Sequence, residues 1–245
     1  MKINIFRTNQ EDEISEYEVE DKCNTALDAL NYVKENIDET ISFRSGCKSG
    51  ICGSCTILVN DKEVLACKCK VKDVDTLKPL KYTKVIKDLV VGLNHIEKLL
   101  KENKTYINEN SNKDINKEDV KLIDTQSNCI LCQSCFSSCP VYEVNKEFKG
   151  PYALTRVLRY VNDTKESNID EKIETIQTNG IWDCTLCGNC TLVCPQFIDP
   201  KSDIMNLRMK SVQNGYSDTT IQNNNFLNEF NNTQMPDFGF NPNSF

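Results

Sequence analysis

Apolar and polar positions alternate at the start of the chain. Ile3 and Ile5 are flanked by polar residues, and so are Tyr17 and Val19. A period of two puts such side chains on one face, so two strands are predicted. The period then lengthens. Ala26, Leu27, Leu30, Val33 and Ile37 recur at helical spacing, and Thr25 with Asp28 three residues on has the form of a helix N-cap. TILVNDKEVLA (56–66) reads as two short strands around a turn at Asn60, Asp61 and Lys62. Residues 1–100 are therefore expected to form a small α+β domain.

Residues 101–118, KENKTYINENSNKDINKE, carry almost no large apolar groups and are predicted to be a linker. From 119 to 216 the pattern is helical. Pro151 suits a first helical turn, and Leu154, Val157, Leu158 and Val161 share one face. Residues 217–245 form an Asn-rich tail with interspersed Phe. One repeat stands out: NCILCQSCFSSCP (128–140) and DCTLCGNCTLVCP (183–195) agree in four cysteines, a leucine and the proline.

Composition narrows the function. The 245 residues carry a net charge of −7, which argues against a broad nucleic-acid-binding surface and against a DNA-reading redox sensor. No apolar run approaches the roughly 18 residues of a membrane span, and the N-terminus MKINIFRTNQEDE lacks the pattern of a secretory signal. A soluble protein able to dock peripherally on a membrane partner is expected, at the cytoplasmic face unless it is exported with a partner. No glycine-rich GxGxxG follows a strand, so there is no flavin or nicotinamide fingerprint. The only histidine, His95, reads as a packing or surface residue. No substrate-binding or catalytic residue is identified, so substrate chemistry is assigned to another chain.

The 14 cysteines change this picture most. All but Cys23 and Cys69 fall into three tight groups, an arrangement that suits metal better than independent disulfides. Cys47-x4-Cys52-x2-Cys55, with Cys67 following, is the plant-type ferredoxin spacing for a 2Fe–2S cluster. Gly46, Gly50 and Gly53 would let the loop wrap closely around the core. Zinc sites usually present two Cys-x2-Cys pairs instead. Cys23 and Cys69 read as ordinary thiols, with Cys69 an alternative to Cys67.

Cys129-x2-Cys132-x2-Cys135-x3-Cys139-Pro140 and Cys184-x2-Cys187-x2-Cys190-x3-Cys194-Pro195 match the bacterial two-cluster run. In such pairs the fourth cysteine serves the other cluster. One 4Fe–4S site is then expected at Cys129, Cys132, Cys135 and Cys194. The other is expected at Cys184, Cys187, Cys190 and Cys139, becoming 3Fe–4S if Cys187 does not bind iron.

A 2Fe–2S domain followed by a helical two-cluster domain resembles the iron–sulfur subunit of succinate dehydrogenase and fumarate reductase. The resemblance rests on SFRSGCKSGICGSC, VLAC (64–67), DLVV (88–91), CILCQSCFSSCPVY (129–142), GPYALTRVLRYVND (150–163), IWDC and NCTLVCP. It implies a β-grasp ferredoxin domain joined to an all-α ferredoxin domain. It also implies two partners: a FAD subunit handling succinate and fumarate, and a quinone-linked membrane anchor. Three positions depart from the common family pattern. Cys187 replaces a non-cysteine residue, Val141-Tyr142-Glu143 lacks the usual Trp, and Thr185 stands where His is usual. These departures, with LRMKSVQNGYSD (207–218), are similar to a variant group whose anchor is cysteine-rich and heterodisulfide-reductase-like. The alternative function is electron carrier of a thiol-coupled fumarate reductase.

Overall fold

The computed structural model describes residues 1–8 and 13–218, so the tail from residue 219 lies outside the described residues. Strand β1 (Lys2–Arg7) buries Ile3 and Ile5 and pairs antiparallel with β2 (Glu13–Glu18), Ile3 opposite Tyr17. Helix α1 (Ala26–Asn36) starts at a reciprocal cap. The Thr25 hydroxyl accepts from the Asp28 N–H at 3.1 Å, and the Asp28 carboxylate accepts from the Thr25 N–H at 2.9 Å. The helix stops one residue short of Ile37, which is its C-cap and is 49% exposed, so Ile37 does not join the apolar face.

The next hairpin joins β3 (Thr56–Val59) to β4 (Lys62–Leu65). Asn60 and Asp61 both take left-handed φ, 50° and 62°, as a two-residue turn matched to strand twist requires. Lys62 therefore opens β4 instead of belonging to the turn. A strand that the pattern does not announce, β5 (Asp75–Lys78), runs parallel to β1 and antiparallel to β3. The sheet order is β2-β1-β5-β3-β4, and α1 shares one core with Ile3, Ile5, Ile57, Val59 and Leu77. This is a β-grasp arrangement.

A second small hairpin, β6 (Val85–Lys87) and β7 (Val90–Val91), turns at Asp88. Asp88 is buried, and its carboxylate accepts from the N–H groups of Thr8 and Ser42 and from Arg7. Those donors hold its pKa below the ordinary value against the opposing effect of burial.

Helix α2 (Asn94–Glu102) packs Ile96, Leu99 and Leu100 on the second core. The polar segment after it is tied down. The Lys172 ammonium donates to the carbonyls of Lys104 and Tyr106 at 2.7 and 2.6 Å and pairs with Glu166 at 2.9 Å. Glu166 in turn accepts from the Asn108 N–H at 2.8 Å. The second domain continues with α3 (Lys117–Ser127), α4 (Ser134–Ser137), α5 (Val141–Val144), α6 (Pro151–Val161) and α7 (Ile169–Thr175). A 3-10 turn (Ile181–Asp183), α8 (Asn189–Leu192) and α9 (Pro200–Gln213) complete it. Its core is built on Tyr152, Leu154, Leu158, Ile173, Ile204 and Leu207.

Candidate metal centres

The loop carrying Cys47, Cys52 and Cys55 turns through Gly50 and Gly53, both left-handed at φ 82° and 70°. That path aims amides at sulfur. The N–H groups of Ser49, Ile51 and Cys52 donate to Cys47 Sγ at 3.3–3.4 Å, and the Cys47 N–H donates to Cys52 Sγ at 3.4 Å. Bonds to Ser49, then to Ile51 and Cys52, draw the Cys47 thiol down to about 5, toward the thiolate that binds iron. Cys55 and Cys67 form the inner side of the set, buried just outside the open end of the β3–β4 hairpin, and burial pushes Cys55 up to about 11. Cys69 stands apart. Its Sγ faces the Lys70 carbonyl, and its charged neighbours are Asp75 and Lys72. Cys23 packs at the rim of the first core.

The sequence repeat is also a backbone repeat. Leu131 and Leu186 are left-handed at φ 54° and 56°, and Gln133 and Gly188 at φ 69° and 86°. Each pair of reversals curls a Cys-x2-Cys-x2-Cys run inward before a short helix, α4 or α8. In the second run the Leu186 N–H donates to Cys184 Sγ at 3.4 Å.

The fold brings the fourth cysteines across. Cys129, Cys132, Cys135 and Cys194 line one cavity, closed by Tyr152, Thr155 and Pro195. Cys139 and Cys190 each lie within electrostatic range of Cys184 and Cys187, which completes the other grouping. Burial raises Cys139 to about 11 and Cys190 to about 12, and raises Cys135 well above the ordinary thiol range. Neutral buried thiols packed together are what a cationic iron core would relieve as the protons leave. Among the described residues no three His, Cys, Asp or Glu side chains close on an ion-sized point. The all-sulfur donor sets, four to a centre, fit clusters.

The three sets adjoin one another in order. A Cβ placed on Gly53 would lie 2.9 Å from the Cys132 Cβ, so the first loop touches the second set directly. Gln196 Nε2 also reaches the Gly50 carbonyl at 3.4 Å. Cys135 of the second set lies within electrostatic range of Cys190 of the third. Two arginines missed by the motif reading stand behind these sets. Arg208 donates to the carbonyls of Ile181, Trp182 and Cys184 and so positions the start of the second run. Arg156 lies within electrostatic range of Cys129. His95 is a packing residue, stacked on Phe136 at 4.5 Å and bonded to Gln133 at 2.9 Å.

Comparison with known proteins agrees with this geometry. Residues 2–98 match the family model of a 2Fe-2S iron-sulfur cluster binding domain, and residues 125–198 match that of a 4Fe-4S dicluster domain. The chain is 33% identical to the fumarate reductase iron-sulfur subunit of Haemophilus influenzae, over 87% of this chain and 93% of that one. It is 34% identical to the Escherichia coli O157:H7 counterpart, over 86% and 93%. It is also 33% identical to a subunit of the fumarate reductase (CoM/CoB) of Methanothermobacter marburgensis, over 77% of this chain but 39% of that longer protein. A chain of the Mycobacterium smegmatis Sdh1 complex in the apo form shares the fold. Its TM-score is 0.76 at 22% identity, and the match covers 89% of this chain and 98% of that one. The chain belongs to the family of succinate dehydrogenase and fumarate reductase iron–sulfur subunits.

Proposed function

We propose that this chain carries electrons between a FAD-containing subunit that handles succinate and fumarate and a quinone-linked, membrane-associated anchor. The observation that supports this most is the unbroken succession of three cysteine sets, with Gly53 against Cys132 and Cys135 near Cys190. Cys47, Cys52, Cys55 and Cys67 would hold a 2Fe–2S cluster. Cys129, Cys132, Cys135 and Cys194 would hold a 4Fe–4S cluster, and Cys184, Cys187, Cys190 and Cys139 a second one. Such clusters, when bound, supply one-electron oxidation and reduction. The protein holds the sets adjacent, keeps water from the inner thiols and presents N–H donors to the outer ones.

The two ends of the succession are exposed differently from its middle. Ile51, in the first loop, is 69% exposed. Val144 and Leu192, in the segments carrying Cys139 and Cys190, are 85–88% exposed. Large apolar side chains left in water beside both terminal sets are what two docking partners would cover. No helix among the described residues is long and apolar enough to cross a membrane, so membrane attachment would come through the anchor.

Anaerobic iron and sulfide analysis tests the cluster content. About ten irons per chain are expected from the three motifs. About two irons, or stoichiometric zinc, would refute the three-cluster reading. Dye-linked succinate or fumarate turnover should require added flavoprotein, and turnover by the flavin-free chain alone would refute the division of labour.

A further inference from the structure

Arg156 sits on α6, one turn after Tyr152 and next to Thr155, and both of those residues wall the cavity that gathers Cys129, Cys132, Cys135 and Cys194. The Arg156 side chain is half-buried, and its Nε–H is fully buried with no hydrogen-bond partner among the described residues. A buried charged donor left unpaired is costly, and one in a folded protein calls for a partner outside the protein's own atoms, an ion or a water. Among the described residues no carboxylate forms an ion pair with it. Glu97, which shares the outer groove with Arg156, is paired with Lys101 at 2.7 Å. Arg208 stands in contrast, because three backbone carbonyls occupy its guanidinium.

We propose that Arg156 is the cationic partner of the middle centre, stabilising its more negative, reduced form and so raising its reduction potential relative to an otherwise identical site. The proposal rests on the cluster reading above. Four thiolates around an iron–sulfur core leave a net negative charge that grows by one on reduction. A fixed positive charge in a low-dielectric wall therefore favours the reduced state. Arginine suits this place because it stays protonated when half-buried.

The test is an EPR-monitored redox titration of the holoprotein with Arg156→Gln and Arg156→Lys, preceded by iron analysis. Wild type without a cluster at this set would overturn the cluster reading itself, separately from the role of Arg156. With full iron in both variants, R156Q is expected to shift the middle cluster's oxidised-to-reduced ratio at fixed poise about tenfold toward oxidised, which is 59 mV for a one-electron couple. R156K, which keeps the charge, should stay near wild type, and the third cluster should not move. Loss of the middle cluster in R156Q with retention in R156K would also support a charge requirement. An unmoved potential in R156Q, an equal shift in R156K, or loss of the cluster in both variants would overturn the proposal.

Discussion

Cys187 is exposed, whereas Cys139 and Cys190 of the same set are buried. An exposed thiol has no packing role to explain it. It stands in register with Cys132 of the first run, where the backbone takes the same two left-handed reversals. A cubane site needs one ligand per iron, so the fourth sulfur decides between a complete 4Fe–4S set and a three-ligand site. Cys187→Ser is therefore expected to lose about one iron per chain and to gain a 3Fe–4S EPR signal in the air-protected oxidised protein. Because the side chain is exposed and nearly isosteric, stability should change by no more than about 0.5 kcal/mol apart from the cluster itself. A wild type that already carries that signal at full occupancy would remove Cys187 from the ligand set.

At the scale of elements, helices with a wide apolar stripe and the β3–β4 hairpin were legible, and the later strands were not. The α6 stripe predicted from Leu154, Val157, Leu158 and Val161 is buried throughout, and the Thr25–Asp28 cap forms as written. The strands β5, β6 and β7 span only four, three and two residues and, unlike the equally short β3 and β4, do not flank an Asn-Asp turn that brackets them. The cysteine runs could be read because ligand spacing within a run is local, whereas the bonds from Arg208 to Ile181, Trp182 and Cys184 join segments far apart in the chain. The polar segment after α2 illustrates the other limit. Its order comes from Glu166 and Lys172, whose side chains are fully buried and lie more than 50 residues further along the chain. Removing one partner leaves a buried charge unanswered. Lys172→Met is expected to cost about 3–5 kcal/mol in urea unfolding of the holoprotein. The double variant with Glu166→Gln should recover part of that loss. If K172M is nearly neutral, or the double variant is worse than the single one by the full cost of Glu166→Gln, the pair does not carry the connection.

Over the whole molecule, the first cysteine loop meets the second cysteine run at a glycine. Gly53 is left-handed at φ 70°, and a Cβ there would meet the Cys132 Cβ at 2.9 Å, its Cα at 3.0 Å and the Ile130 carbonyl at 3.1 Å. Backbone and ligand-bearing atoms cannot swing aside as the end of a lysine can, so alanine at 53 must push the first cysteine loop away from the second run. Gly215 provides the matched control. It is left-handed at φ 84°, at the end of α9, and no described residue lies within 4 Å of its Cβ position. Gly215→Ala should cost only backbone strain, about 1 kcal/mol. Gly53→Ala should cost that strain plus the clash, about 2–4 kcal/mol in all. It should also slow flavoprotein-linked reduction of the second and third clusters by rapid-freeze EPR, while the first cluster is still reduced at the wild-type rate. That split matters more than the loss of stability, because a merely destabilised protein would lose all three signals together. Equal kinetics in G53A and G215A would mean that contact at Gly53 does not set the path between the domains.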